Sequence, residues 1–334
     1  MKRRLLLATL VGVMLTVLAA GAGAGSKQLQ VGLVIQVGVT PSQRDVNGLV
    51  YRGFLRAVNE LGVKGRVLQT SPQQGPSAAL ASLGRQKYDL IVAGLDVPPD
   101  LLDAAAQRFP DSSFLITNAP YESLGHKPKN VQGFVFRAEE GAYLAGYLAA
   151  LMEKRRPGKD VISSVGGIKI PNVDSLILGY QAGARKADPG ITLLSGYSQN
   201  FVDPVKCRAV ALSQIARGSG VVFNVAGACG LGTLEVAKEK GVWAVGVDVD
   251  QSYLGPHILT SVVGRLDVAI FAQIQLLTRG TFRTGGDTVY DLANGGVGLG
   301  KISSQVPSSF LHELDGIREQ IVAGKIKVPF VPGR

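Results

Sequence analysis

Two aspartates close the stretch VWAVGVDVDQ, Val242 to Gln251. Asp248 and Asp250 follow apolar residues and glycines that read as a buried strand, and an unpaired carboxylate in an apolar interior is costly. Such a pair can ligate a metal, work as an acid and base, or accept hydrogen bonds from a donor-rich ligand. A calcium ion would need about six to eight oxygen ligands. The first strand end, QVGVTPSQRD, supplies at most one further carboxylate. His126, His257 and His312 stand far apart, with no cysteine or second histidine at ligand spacing, so no metal site is expected. G-x-S-x-G, Walker and H-E-x-x-H motifs do not occur, and GACGLG (Gly227 to Gly232) and GGVGLG (Gly295 to Gly300) do not fit G-x-G-x-x-G. Those glycines read as tight turns, so neither a catalytic residue nor a cofactor is expected. Asp248 suits vicinal hydroxyls, each charged hydrogen bond being worth about 1.5 to 3 kcal/mol away from water. The plainer alternative is an aspartate that merely caps a turn.

The elements that would position these groups alternate. LQVGLVIQ, RVLQT, YDLIVAG and SSFLITN read as strands, separated by helical patterns such as GLVYRGFLRAVNELG and PDLLDAAAQRFP. Strands that are apolar throughout have both faces covered, which predicts parallel sheets in an α/β fold. After VQGFVFR the pattern restarts with the helix EEGAYLAGYLAALMEKR and the strands DVISSVGG, ITLLSGYS, GVVFNVAG and VWAVGVDV, so a second sheet is implied. A helix from Asp203 to about Arg217 carries an N-cap aspartate and Pro204 at its first position. ILTSVV, the helix RLDVAIFAQIQLLTRG, NGGVGLG and a helix near Pro307 to Gly324 complete the order. No Pro- or Ser-rich linker divides the halves, which predicts a chain that crosses between two lobes more than once and leaves a hinge and a cleft. In open parallel sheets ligands sit beyond the carboxyl ends of the strands. Gln36, Asn118, Asp248 and the glycines of NVAGACG, Gly227 among them, lie at such ends. A turn beginning at Asp250 would leave Asp248 facing the cleft.

The chain opens with Lys2, Arg3 and Arg4, an apolar run from Leu5 to about Ala20, and small residues, the pattern of a secretory signal peptide over residues 1–25. No cysteine follows it, so export without an N-terminal lipid anchor is expected. Loss of the three basic residues takes the formal net charge from +10 to +7. The remaining charge is scattered, without the basic stripe that nucleic acid wants. Cys207 and Cys229 are the only cysteines, and an exported pair predicts a disulfide.

The succession GLVI, DLIVAG, FVFRAEEGAYLAGYLAAL, YSQNFVDPVKC, VVFNVAGACGLG, GVDVDQ, ILTSVVGRLDVA and NGGVGL, from about Val31 to Pro329, resembles the basic membrane protein family of solute-binding proteins. That family includes purine nucleoside receptors of ABC transporters. The resemblance implies a type I periplasmic-binding fold: two Rossmann-like lobes, residues 28–135 with 262–286 and 136–261 with 287–334, joined by three crossovers. It also implies a solute clamped between the lobes, and the function expected is delivery of a nucleoside-like or sugar-like solute to a membrane permease by a monomer. The family aspartate that grips ribose hydroxyls falls on Asp248, and the family Ser-Phe-Asn falls on Asp45-Val46-Asn47, which keeps Asn47 but loses the stacking ring. Family aspartates at the first and fourth strand ends become Gln36 and Asn118, and a family lysine becomes Gly264, followed by Arg265. Tyr51 or Phe201 is left to supply a ring. The expected ligand set is Gln36, Asn47, Asn118, Phe201, Gly227 and Asp248. An exported nucleoside or sugar hydrolase working through strand-end aspartates is the alternative.

Overall fold

The computed structural model describes residues 28–71, 73–117 and 119–331. The expected signal peptide and Asn118 lie outside the described residues. Along the chain run β1 (Gln30–Gln36), α1 (Val46–Leu61), β2 (Lys64–Thr70), α2 (Ser77–Arg85), β3 (Leu90–Ala93), α3 (Pro99–Arg108), β4 (Ser113–Ile116), β5 (Val131–Phe136) and α4 (Ala138–Glu153). There follow β6 (Val161–Gly166), α5 (Pro171–Ala187), β7 (Thr192–Tyr197), α6 (Pro204–Ala216), β8 (Val221–Val225), α7 (Gly230–Lys240) and β9 (Trp243–Asp248). The chain closes with β10 (Ile258–Gly264), α8 (Leu266–Thr278), β11 (Gly286–Tyr290), β12 (Val297–Leu299) and α9 (Ser308–Val322). Local chemistry sets several of these boundaries. Asp45 starts α1 by accepting from the Gly48 amide at 2.9 Å, and Gly62 ends it at φ +67°, a conformation open to glycine. Asp203 starts α6 by accepting from the Val205 amide at 3.0 Å, with Pro204 at the first position as expected.

Among the described residues the strands form two six-stranded sheets, ordered β11-β5-β4-β3-β1-β2 and β12-β10-β9-β8-β6-β7. The apolar strands LIVA of β3 and VVFNV of β8 are buried throughout, between helices on both faces. The chain passes between the sheets after β5, after β10 and after β11. β10 runs to Gly264 and β11 to Tyr290, so two crossings lie a few residues beyond the expected boundaries at 262 and 287. Each crossing leaves the carboxyl end of a strand, and the crossings are tied together: Arg137 N donates to Tyr290 O at 2.8 Å, and Arg265 N to Gly296 O at 2.9 Å.

One expectation is corrected: β12 runs antiparallel to β10, pairing Gly264 with Val297. The last crossing delivers the chain to the carboxyl end of β10, so the next strand has to run back along it. β11 was not read from the sequence. Its GDTVY is only partly buried at a sheet edge and lacks an apolar run.

Cys207, on the first turns of α6, and Cys229, just past β8, are buried and bonded, with Cα atoms 5.6 Å apart. The bridge closes a sequence separation of 22 residues. On the chain-entropy view, reduction is expected to lower stability by about 3 kcal/mol. Denaturant melts with and without reductant measure it, and unreduced native protein with two alkylatable thiols would reject the bridge.

Candidate functional site

In VGVDVDQ each polar side chain has a distinct task. Gln251 is buried, and its Oε1 accepts from the Val247 amide at 3.0 Å while its own amide donates to Ser261 Oγ at 3.0 Å. It pins the end of β9 to β10. Asp250 accepts from the Ser252 amide at 3.0 Å and the Ser252 hydroxyl at 3.2 Å, closing a side-chain turn that leads into the short 3-10 turn Ser252–Leu254. Asp248 does neither. It stands at φ +69°, and the Val249 amide donates to the Val247 carbonyl at 2.8 Å, closing a three-residue turn about Asp248. A γ-turn of positive φ is rare and strained, at a cost of order 1 to 3 kcal/mol. Among the described residues no hydrogen bond reaches its carboxylate.

Asp248 lines two chambers of the cleft, which share it and Gly264 as wall residues. The wide one, of about 590 Å³, is lined by Arg44, Arg52, Arg265 and Lys301 together with Asp248, Asp250 and Asp267. The narrow one, of about 160 Å³, is apolar, formed by Val46, Phe136 and Leu266 from one side and Leu176, Val247 and Val262 from the other. Burial by the surrounding protein raises the Asp248 carboxyl to a pKa of about 6. The residue as a whole is part-buried, with its open side on the cleft. Across the mouth, the Arg44 guanidinium lies 4.4 Å from the centre of the Tyr253 ring, a contact between the lobes.

The expected ligand residues separate in the structure. Asp248 lines both chambers. Gln36 is exposed at the end of β1, and Asn47 is half-buried on the first turn of α1, next to the lining residue Val46. Asn118 follows the lining residue Thr117. Phe201 packs its ring over Gly167, where a Cβ would come within 2.3 Å of it, and its carbonyl accepts from the Cys229 amide at 3.0 Å. Gly227 sits beside that carbonyl at φ +55°. Gln36, Asn47, Phe201, Gly227 and Tyr51 are not among the residues that line the two chambers.

Sequence reasoning missed Phe136, whose ring faces the apolar chamber at the first crossing and stacks on Tyr290 with centroids 5.1 Å apart. It missed Arg44, Arg52 and Lys301 as well. The one available signal was position, since Phe136 ends a strand whose carboxyl end must face the cleft.

Known proteins agree with this architecture. Residues 38–330 match the family model described as ABC transporter substrate-binding protein PnrA-like. Basic membrane protein B of Borrelia garinii subsp. bavariensis is 31% identical, with 96% of this chain and 94% of that protein covered. Basic membrane protein A2 of the same organism is 37% identical over 69% of this chain and 68% of its own length. Among solved structures, a solute-binding protein of an ABC transporter system from Aeropyrum pernix K1 superposes with a TM-score of 0.72 at 23% identity, covering 90% of this chain and 94% of that one. A transcriptional activator of the comK gene from Bacillus halodurans reaches 0.75 at 20% identity, over 90% and 99%. These two likenesses carry the fold, a pair of α/β lobes of the periplasmic-binding type. With the family model spanning nearly all of the described residues and a relative aligned along almost its full length, the chain belongs to the PnrA-like family of ABC transporter substrate-binding proteins.

Proposed function

We propose that the protein is the exported solute-binding component of an ABC importer, and that it clamps a nucleoside-like, hydroxylated small molecule between its lobes and releases it unaltered to a membrane permease. The observation that carries this reading is Asp248: a carboxylate on a strained turn at a strand's carboxyl end, open to the cleft and engaged by no hydrogen bond from the described residues. Strain persists where the surrounding structure over-determines it, and such places cluster at ligand clamps. Two neighbouring hydroxyls would donate to the ionised carboxylate, and the apolar chamber beside it would take a ring. Among the described residues no helix is long and apolar enough to cross a membrane, and the protein would meet its permease as a monomer. Mass spectrometry of small molecules released from protein purified from its host tests the reading. A copurifying solute without vicinal hydroxyls would overturn it.

The raised carboxyl of Asp248 gives the binding a pH signature. With a pKa of about 6 in the free protein, the group is ionised at pH 7.5 and largely protonated at pH 5. A solute that donates to the ionised form lowers that pKa in the complex, so binding below pH 6 must expel a proton. Affinity is therefore expected to be flat above about pH 7 and to fall below pH 6, by at most about tenfold per pH unit. The other charged groups that line the wide chamber with Asp248 are Arg44, Arg52, Arg265, Lys301, Asp250 and Asp267. Calorimetric titrations in buffers of different ionisation heat read both affinity and proton release. No proton release at pH 5.5 would remove Asp248 from the contact.

A further inference from the structure

The wide chamber is more basic than a neutral solute requires. Four cations, Arg44, Arg52, Arg265 and Lys301, share it with three carboxylates, Asp248, Asp250 and Asp267. Three other arginines are paired: Arg137 with Glu139 at 3.0 Å, Arg156 with Glu153 at 3.0 Å, and Arg208 with Glu239 at 2.7 Å. Among the described residues none of the four chamber cations has an ion-pair partner. Asp250 has both oxygens engaged by Ser252. Arg52 is held in place, because its Nη1 donates to the Pro41 and Gln43 carbonyls at 2.7 Å each, and so needs little ordering on binding. Arg44 and Arg52 belong to the first lobe, Lys301 follows β12 in the second, and Arg265 stands on the crossing between them.

We infer that the wide chamber contains an oxyanion subsite, and that the solute carries a phosphate or carboxylate on the hydroxylated body that Asp248 grips. The inference rests on the reading of Asp248 as the hydroxyl acceptor. It names the other end of the same solute. A ring in the apolar chamber, hydroxyls at the shared wall and an anion in the wide chamber describe one continuous molecule. An oxyanion between Arg52 of one lobe and Lys301 of the other makes contacts that exist only when the lobes are together, so it shifts the protein toward closure. A phosphate or carboxylate is the group that guanidinium and ammonium recognise through charge-assisted hydrogen bonds.

The test uses matched pairs on the mature protein: each common ribonucleoside against its 5′-monophosphate and its 5′-carboxylate, and ribose against ribose 5-phosphate. Titrations are run on wild type, on the double variant Arg265→Gln/Lys301→Gln and on Asp248→Ala. Both cations are exposed, so the double variant is expected to melt with wild type. The charged member of a binding pair should be preferred by about tenfold or more. The preference should shrink with added salt and collapse in the double variant, while Asp248→Ala weakens both members of the pair alike. The phosphate and carboxylate arms tell which oxyanion the chamber takes. Equal or tighter binding of the uncharged member, or a preference that survives the double substitution, overturns the inference. If no pair binds at all, the hydroxyl reading falls, and pyrophosphate alone then decides the subsite. A rise in melting temperature with pyrophosphate that is absent from the double variant upholds it, and no rise in wild type overturns it.

Discussion

Asp248→Ala is expected to weaken binding of the copurifying solute by about 2 to 4 kcal/mol, roughly 30- to 900-fold, while the protein stays folded. The loss combines a charge-assisted contact with hydroxyl donors stranded in a closed cleft. The unliganded protein should not melt lower for it. At pH 7 the ionised carboxylate sits above its ordinary pKa range because burial disfavours the charge, and removing it relieves about 1 to 3 kcal/mol. Alanine keeps the strain of φ +69°, whereas Asp248→Gly removes it too and should melt higher still. Asp250→Ala is the contrasting variant. It deletes the two hydrogen bonds to Ser252 that lead into the 3-10 turn and should cost about 0.5 to 1.5 kcal/mol of stability, with a smaller change in affinity. Titration and thermal melts of the three variants measure all of this. Wild-type affinity in Asp248→Ala would return the carboxylate to a structural role.

The largest effect on stability is expected from a single methyl group. α4 and α5 touch backbone to backbone: a Cβ on Gly146 would lie 1.8 Å from the Tyr180 carbonyl oxygen, and one on Gly183 would lie 1.9 Å from the Tyr143 carbonyl oxygen. Neither obstacle is a side chain that can rotate away, so Gly146→Ala has to push two helices apart through the core of the second lobe. Overpacking usually costs about 1 to 3 kcal/mol, and here, with main chain on both sides, at least the upper end is expected. Gly316→Ala gives the comparison. It sits within α9 with nothing near its Cβ position, and there alanine should be neutral or stabilising by up to about 1 kcal/mol. Chemical denaturation of the two variants decides the matter. A Gly146→Ala protein as stable as wild type would mean that the helices do not approach so closely.

What the sequence revealed and what it hid divide along one physical line. Elements set by nearby residues were legible. Asp203 and Pro204 announced α6, continuous apolar runs announced β1, β3, β8 and β9, and the turn at Asp250 left Asp248 at a strand end. Features that depend on distant partners were not. GDTVY is a strand because the edge of β5 accepts it, not because its own residues insist on one. β12 is reversed because of where the last crossing delivers it. The basic chamber joins Arg44 and Arg52 to Lys301, some 250 positions away in sequence, and no periodicity reports such a meeting.

The pairing of β11 with β5 also bears on how the chain matures. Gly286 lies beside Gln132 and Tyr290 beside Phe136, so the first sheet lacks its edge strand until more than four fifths of the polypeptide exists. Contacts of such high sequence separation are formed late and slowly, because the intervening loop entropy is lost before the pairing returns anything. Through that interval β5 presents an unpaired edge, open to wrong partners. An emerging chain of this topology remains conformationally unfinished over most of its synthesis.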